Sequence, residues 1–272
     1  MNKQAWDLFV TVMLLYATFA VPFFLAFVED TDPREGISGY AIWDLMLDCI
    51  FCFDICLSFV TCYSQNGRYI SDLGKIANNY LRGWFWVDVP GSIPFDKIVM
   101  LVTPPSGSGN LGSAMKAMKF IRILKMVRAV RFVRKLDQLE QRDTTGTLTV
   151  LFKIFRAVFS AVFSAHFLGC MFYMIFNNDD VRSGDTLSGD NRISAYYLNY
   201  DTEPMGTPVS VFNLYISSVY WGLATTTTVG FGDTKPVTHE ERIWFVAVML
   251  WGGLMFSFAT SIITSTLMES TG

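Results

Sequence analysis

Charge is what this sequence has little of. Only 17% of its 272 residues are Asp, Glu, Lys or Arg, against about 25% in an average soluble domain. The scarcity comes with 51% hydrophobic and 15% aromatic residues and a mean hydropathy of +0.35, a composition biased toward lipid. No basic excess is present either. The net charge is −3 and the pI near 5.4, which argues against nucleic acid as a partner. Cysteine is sparse and odd in number, at Cys49, Cys52, Cys56, Cys62 and Cys170. Four of these lie in one apolar stretch, which does not read as a secreted disulfide framework. Histidine is limited to His166 and His239. The sequence offers no Ser/His/Asp arrangement, phosphate loop or catalytic metal pattern, so the chain is not expected to be an enzyme or to hold a cofactor. With 24 Phe, 13 Met and 7 Trp along the chain, disorder, collagen and coiled coil are excluded.

What is there is a series of long apolar runs. A bilayer core of about 30 Å needs about 20 mostly apolar residues. Leu8 to Val28 is uncharged and long enough, and too long for a signal-peptide core. Tyr40 to Tyr63 is apolar except for Asp44, Asp48 and Asp54. Leu81 to Val102 carries Asp88 and is interrupted by Pro90 and Pro94. Met115 to Leu136 has helical length but is laced with Lys and Arg, whereas Leu151 to Phe176 and Ile243 to Met268 complete a set of six. Val211 to Ala224 is apolar but too short to span, as expected of a re-entrant helix. Loops of alternate parity differ in charge. One set carries Arg68, Lys75, Arg82 and Arg142, and the other is rich in Asp and Glu from Glu29 to Glu35 and from Asp179 to Glu203. The positive-inside rule then places both termini in the cytoplasm. A second hydrophobic half, as in inverted-repeat transporters, is missing.

Lys116, Lys119, Arg122, Lys125, Arg128, Arg131 and Arg134 recur at every third position with apolar pairs between them. Three residues advance an α-helix by about 300°, so the charges wind as a shallow spiral; on a 3₁₀ stretch they would align. Each cation costs about 2.5–3.5 kcal/mol at the bilayer centre, and each is worth about 2.3 kcal/mol per 100 mV to a field. A basic helix lying on a membrane surface would instead gather its cations on one wide face with mixed spacing. The preceding spans supply partners. Asp54 and Asp88 are expected at similar depth, forming an acidic waist, with Asp48 as an outer station. Phe51, three residues before Asp54 and so on its face, would plug the waist. Asp44 reads as an interfacial or fixed-pair carboxylate.

The second motif is Thr225-Thr226-Thr227-Thr228-Val229-Gly230-Phe231-Gly232-Asp233, directly after the short helix. Gly230 and Gly232 admit backbone conformations closed to other residues, which lets successive carbonyls point one way. Four such loops around an axis would replace the water shell of a dehydrated cation, with the Thr228 hydroxyl at the inner end.

This segment closely resembles the potassium-channel signature sequence, and the chain from about Trp6 to Met268 resembles the six-segment core of a voltage-gated potassium channel. Trp6-Asp7-Leu8-Phe9, Phe53-Asp54-Ile55, Gly83-Trp84-Phe85 leading to Asp88, Ser92-Ile93-Pro94-Phe95-Asp96 and Ala165-His166-Phe167-Leu168-Gly169-Cys170 resemble the ether-à-go-go, plant inward-rectifier and cyclic-nucleotide-gated superfamily. The resemblance implies that Thr228, Val229, Gly230, Phe231 and Gly232 bind K⁺ as permeant ion, that Asp233, Tyr220 and Trp221 support the filter, and that the seven basic residues carry gating charge past Asp48, Phe51, Asp54 and Asp88. It also implies a homotetramer, or a heterotetramer with related subunits, in the plasma membrane. The sensor is expected to pack beside its own subunit's pore. The stretch given stops just past the sixth span, where this branch continues into a cyclic-nucleotide-binding homology domain, so no ligand control is expected from these residues.

The fold class expected is therefore an all-α membrane protein with six transmembrane helices, a re-entrant pore helix and a filter. The expected division is a voltage-sensor domain over 6–136 (fourth helix about 115–136), a linker over 137–147 and a pore domain over 148–268. Within the last come a helix over 148–177, an extracellular turret over 178–209, a pore helix over 210–225, a filter over 226–233 and an inner helix over 241–268. Gly252 and Gly253 interrupt the last span, through close packing or as a hinge, and the resemblance favours the hinge. The expected function is voltage-gated, K⁺-selective conduction. The alternatives are a weakly selective pacemaker-type pore, disfavoured by Thr228, and a non-conducting modulatory subunit. Cys49, Cys52 and Cys56 read as small buried thiols, the Cys62 to Arg68 spacing as chance, and His166 as a packed, hydrogen-bonded side chain.

Overall fold

A computed structural model describes residues 3–27, 39–65, 68–94, 97–98, 123–140, 147–176, 210–236 and 239–271. The elements in chain order are α1 (Lys3–Phe27), α2 (Gly39–Ser58), a hairpin of β1 (Tyr63–Gln65) and β2 (Arg68–Ile70), α3 (Leu73–Arg82) and α4 (Phe85–Ser92). A 3₁₀ turn (Leu124–Val127) then runs into α5 (Arg128–Glu140), followed by α6 (Thr147–Phe176), α7 (Val211–Thr226) and α8 (His239–Thr271). Among the described residues, three helices hold stretches long and apolar enough to cross a membrane: Lys3–Phe27, Val150–Met174 and Arg242–Met268. The 20-residue α2 has the length but carries Asp44, Asp48 and Asp54.

The described chain is helical apart from the short hairpin, whose antiparallel register pairs Tyr63 with Ile70 and Gln65 with Arg68. Cys62 precedes β1 and Arg68 opens β2, so a hairpin, not a phosphate-binding loop, lies across that spacing. The run expected as a third span is broken. α3 ends at Arg82, and α4 stops at Ser92 with Ile93 extended (ψ 131°), because the residue before Pro94 is pushed out of the helical region. Lys116, Lys119 and Arg122 of the expected fourth helix lie outside the described residues, as does the turret expected over 178–209.

The chain divides into two compact units, residues 1–21 with 29–141, and residues 22–28 with 142–272. Pro22 lies inside α1 where its neighbours change from one unit to the other. In the first unit the buried positions of α1, Val10, Leu14 and Ala17, and of α2, Leu47, Phe51 and Ile55, recur at helical spacing. The core of the second unit is aromatic. Phe172 stacks on Trp221 with centroids 4.3 Å apart, Trp221 meets Phe245 at 5.1 Å, and Phe27 stacks on Tyr173 at 4.1 Å. Helix α8 leaves much of its apolar surface uncovered, with Ile243, Leu250, Leu254 and Met268 each about two-thirds exposed or more.

Candidate functional site

The first unit buries a ladder of ions. Arg128 and Arg131 are each 1% exposed, and Asp48, Asp54 and Asp88 are at most 2% exposed. Buried charges of this kind persist only when paired, and each has a partner. At one end Lys125 Nζ donates to Asp44 (2.7 Å) and Asp48 (3.2 Å), and Lys97 Nζ lies 3.4 and 3.9 Å from the same two carboxylates. Arg128 pairs with Asp48, lies 3.7 Å from Asp44, and donates through Nε to the Gly91 carbonyl at 2.7 Å. At the other end Arg131 reaches Asp54 (3.3 Å) and Asp88 (3.2 Å) and donates to the Ser92 hydroxyl. Arg134 pairs with Asp88 at 3.1 Å, and Lys135 lies 3.3 Å from Asp54 and 3.6 Å from Asp7.

Phe51 separates the two groups. It is fully buried, with the Arg128 guanidinium carbon 5.1 Å from its ring centroid and that of Arg131 at 5.4 Å. Both are within cation–π range. The helix type explains which cations share partners. Lys125 and Arg128 are joined by 3₁₀ backbone, with the Arg128 amide bonded to the Lys125 carbonyl, and both reach the Asp44–Asp48 pair. From Arg128 the helix is α, so residues three and four apart are neighbours. Arg131 and Arg134 meet on Asp88, while Arg131 and Lys135 meet on Asp54.

Several groups in this network escaped the sequence reading. Asp44, read as an interfacial or fixed-pair carboxylate, is ion-paired at 7% exposure, and its sharing among three cations was not foreseen. Lys135 falls off the three-residue beat, and its signal was the four-residue step from Arg131. The Trp6 indole donates to Asp54 (3.1 Å) and the Tyr80 hydroxyl to Asp88 (2.6 Å), while Arg134 lies over the Trp84 ring at 4.8 Å. Burial and the Asp88 hydrogen bond push the Tyr80 phenol up. Cys49 and Cys56, expected as small thiols buried on a lipid-facing helix, are exposed on the isolated chain, and of the three thiols Cys52 turns inward, donating to the Ser92 carbonyl at 3.4 Å. Facing the interior of the first unit on α2 are aspartates and Phe51, which leaves the outward thiols to the apolar surroundings.

In the second unit, α7 ends at Thr226, and the segment after it folds back on the helix terminus. The amides of Val229 and Gly230 both donate to the Ala224 carbonyl, at 2.9 and 3.1 Å, and that of Thr228 donates to Thr225 at 3.1 Å. φ is positive at every second residue: Thr228 (60°), Gly230 (55°) and Gly232 (76°). A β-branched residue in that region is an outlier costing about 1–3 kcal/mol. Alternating left- and right-handed backbone turns successive peptide planes the same way. With the amides of 228–230 taken by the helix end, the carbonyl side of the strip is left to other ligands. The strip is exposed on the single chain, with Phe231 stacked against Tyr220 (6.1 Å, 6°). Trp221 is buried in the aromatic core, and Asp233 accepts from the Thr234 amide at 2.9 Å.

Small residues let α6, α7 and α8 approach. A Cβ on Gly222 would fall 2.4 Å from the Ala165 carbonyl oxygen, and one on Gly169 2.7 Å from that of Ser218. The two glycines of α8 behave differently. A Cβ on Gly252 would fall 3.1 Å from the Thr225 carbonyl oxygen and the Thr226 Cα, whereas nothing lies within 4 Å of one on Gly253. Gly252 thus belongs to the packing under the strip, and α8 is continuous through both. His166 is buried and bonded to the Tyr215 hydroxyl at 3.0 Å. Among the described residues no cluster of His, Cys, Asp and Glu could hold a metal ion.

Comparison with known proteins gives a consistent picture. The sequence pattern of a family described as ion transport protein matches residues 3–271. The chain is 30% identical over 264 residues to the voltage-gated inwardly rectifying potassium channel KCNH7 of Mus musculus, covering 94% of this chain and 21% of that protein. It is 29% identical over 265 residues to the voltage-gated inwardly rectifying potassium channel KCNH2 of Cavia porcellus (94% and 19%). With the voltage-gated delayed rectifier potassium channel KCNH1 of Rattus norvegicus it shares 28% over 270 residues (94% and 26%). The chain spans about a fifth to a quarter of the length of these relatives.

Proposed function

The chain belongs to the ion transport protein family, a family of transporters of ions rather than enzymes, and on that premise we propose that it is the voltage-sensing and pore-forming core of a K⁺-selective channel. The observation that carries the reading is the strip Thr228–Gly232, with positive φ at alternate residues and its amides tied to the end of α7. Four such strips, one from each of four copies, present rings of carbonyls that replace the water around a dehydrated K⁺. The negative end of the α7 dipole adds to the attraction for a cation there. Asp233, and Tyr220 stacked on Phe231, hold the strip from its flanks, and Gly253 is the free hinge position of α8.

The ion ladder supplies voltage dependence. Lys125, Arg128, Arg131 and Arg134 are gating charges, and Lys116, Lys119 and Arg122 extend the series. A cation crossing Phe51 leaves one acidic pair, Asp54–Asp88, and meets another, Asp44–Asp48, so it is never far from a carboxylate. The membrane field does work of about 2.3 kcal/mol per charge per 100 mV on such a movement. The uncovered apolar surface of α8 suits contact with lipid or a second copy. Both termini are cytoplasmic, and the plasma membrane is the location.

The test is a reversal potential measured while external K⁺ is exchanged for Na⁺, over a family of voltage steps. A tenfold ratio is worth about 1.4 kcal/mol, which corresponds to about 60 mV for one charge. A shift near that value per tenfold change in K⁺ is expected. A reversal potential near zero would replace the reading with a weakly selective cation pore, and surface protein without current would replace it with a modulatory subunit.

A further inference from the structure

We propose that Lys97 is a stationary counter-charge that competes with the moving cations for Asp44 and Asp48, and so sets the voltage at which the charged helix moves outward. The proposal rests on the voltage-sensor reading above.

The geometry begins with Pro94. The helix α4 ends at Ser92, Ile93 is extended, and the chain restarts helically with the amides of Lys97 and Ile98 both donating to the Pro94 carbonyl at 3.1 and 3.0 Å. Lys97 is therefore carried by the continuation of α4, not by the charged helix, and its place does not change when that helix slides. Its ammonium meets two carboxylate oxygens that a moving cation also uses. Asp44 Oδ2 lies 3.4 Å from Lys97 Nζ and 2.7 Å from Lys125 Nζ, and Asp48 Oδ2 lies 3.9 and 3.2 Å from the same two atoms. Two ammonium groups on one pair of oxygens divide the attraction between them and repel each other, in a place where little water screens them.

The two lysines differ in what surrounds them. The Lys125 side chain is 6% exposed and that of Lys97 is 28% exposed, so Lys97 keeps part of its hydration while it pairs. Lys125 and Arg128 already share Asp44 and Asp48, and the basic residues recur every third position, so outward displacement carries Lys125 past these carboxylates and brings Arg131 to them beside Arg128. Each step puts more positive charge level with Lys97 or beyond it. Its repulsion therefore grows with outward movement and favours the inward position.

The experiment compares gating currents of the parent chain with K97Q, K97R and K97E in intact membranes. The charge–voltage midpoint of K97Q is expected at more negative voltages than the parent, and that of K97E further in the same direction. K97R should restore the parent midpoint. Total gating charge should be equal in all four, because Lys97 does not cross the field. Damage to the fold would lower total charge or move K97R with K97Q. Where K97Q does not reach the surface, K97M keeps the apolar stem and is expected to show the same negative shift. A K97Q or K97M midpoint equal to the parent's, or more positive, overturns the proposal while leaving the voltage-sensor reading intact. A parent chain without voltage-dependent charge movement overturns both.

Discussion

Gly222→Ala tests the second unit at its tightest glycine contact. The added Cβ would lie 2.4 Å from the Ala165 carbonyl oxygen, 3.2 Å from its carbon and 3.3 Å from the Gly169 amide nitrogen. All three are backbone atoms, so no rotamer change relieves the clash, and α6 and α7 must separate by about 1 Å to regain ordinary contact. Overpacking of this kind costs about 1–3 kcal/mol. Alanine returns about 1 kcal/mol through its better helix propensity, which leaves a net loss of up to about 2 kcal/mol. The displacement also reaches the strip proposed as the filter, because Ala224, two residues along, accepts the amides of Val229 and Gly230. The assay is thermal unfolding of the solubilised protein together with the K⁺/Na⁺ reversal potential. Gly222→Ala should melt lower and conduct with weakened selectivity. Gly253→Ala, with nothing within 4 Å of its Cβ, should gain about 0.5–1 kcal/mol from helix propensity and keep selectivity. A Gly222→Ala protein with parental melting and selectivity would refute the packing argument.

Three further outcomes are expected. The Tyr80 phenol is pushed up by burial and by its bond to Asp88, so its contribution to stability is complete below the ordinary phenol value of about 10 and is lost as pH rises toward the raised folded value. Melting temperature should fall from pH 9 to 11 more steeply in the parent than in Tyr80→Phe, and equal slopes would count against the bond. Phe51→Leu removes the ring face from Arg128 and Arg131, about 0.5–2 kcal/mol for each contact. Gating charge should leave this position on the order of tenfold faster, and unchanged kinetics would refute the role. Asp54→Asn leaves Arg131 and Lys135 facing a neutral amide, and breaking a buried pair costs about 3–5 kcal/mol. Surface expression and melting temperature should both fall, with Asp54→Glu milder, and parental values of both would show that the pair is dispensable.

The helix before the Thr and Gly run in the second unit was legible because its signals are local. A 16-residue apolar helix followed by a Thr and Gly run announces itself in consecutive residues, and α7 spans Val211–Thr226. What was not legible there depends on close approach between distant residues. Gly252 and Gly253 look alike in sequence, yet only the first meets backbone atoms at 3.1 Å. Which glycine packs depends on the helical phase of α8 against α7, and no run of residues in α8 reveals it. The same holds for Cys49 and Cys56. Their spacing places them on one face of α2, but the aspartates decide which face turns inward. The hairpin before α3 escaped for a different reason. Its strands are three residues each, too short for alternation to register.

The ion ladder shows why a strict three-residue period gave the cations but only part of their pairing. In 3₁₀ geometry three residues complete a turn, so Lys125 and Arg128 point the same way and share Asp44 and Asp48. In α geometry three residues fall about 60° short of a turn and four overshoot by about 40°. A single fixed carboxylate can then be reached from either side of its own direction. Asp88 takes Arg131 and Arg134, and Asp54 takes Arg131 and Lys135. Partner identity is thus set by helix type, which changes at Arg128, and a sequence period carries no mark of where that change falls. The consequence for movement is geometric. If the helix advanced by three residues while remaining α throughout, the incoming cation would arrive rotated about 60° away from Asp44 and Asp48. Pairing is kept only if the 3₁₀ stretch stays opposite those two carboxylates while the residues pass through it. On the proposed sensor movement, the short 3₁₀ turn would therefore be a property of the place beside α2 and α4, and the residues that occupy it would change.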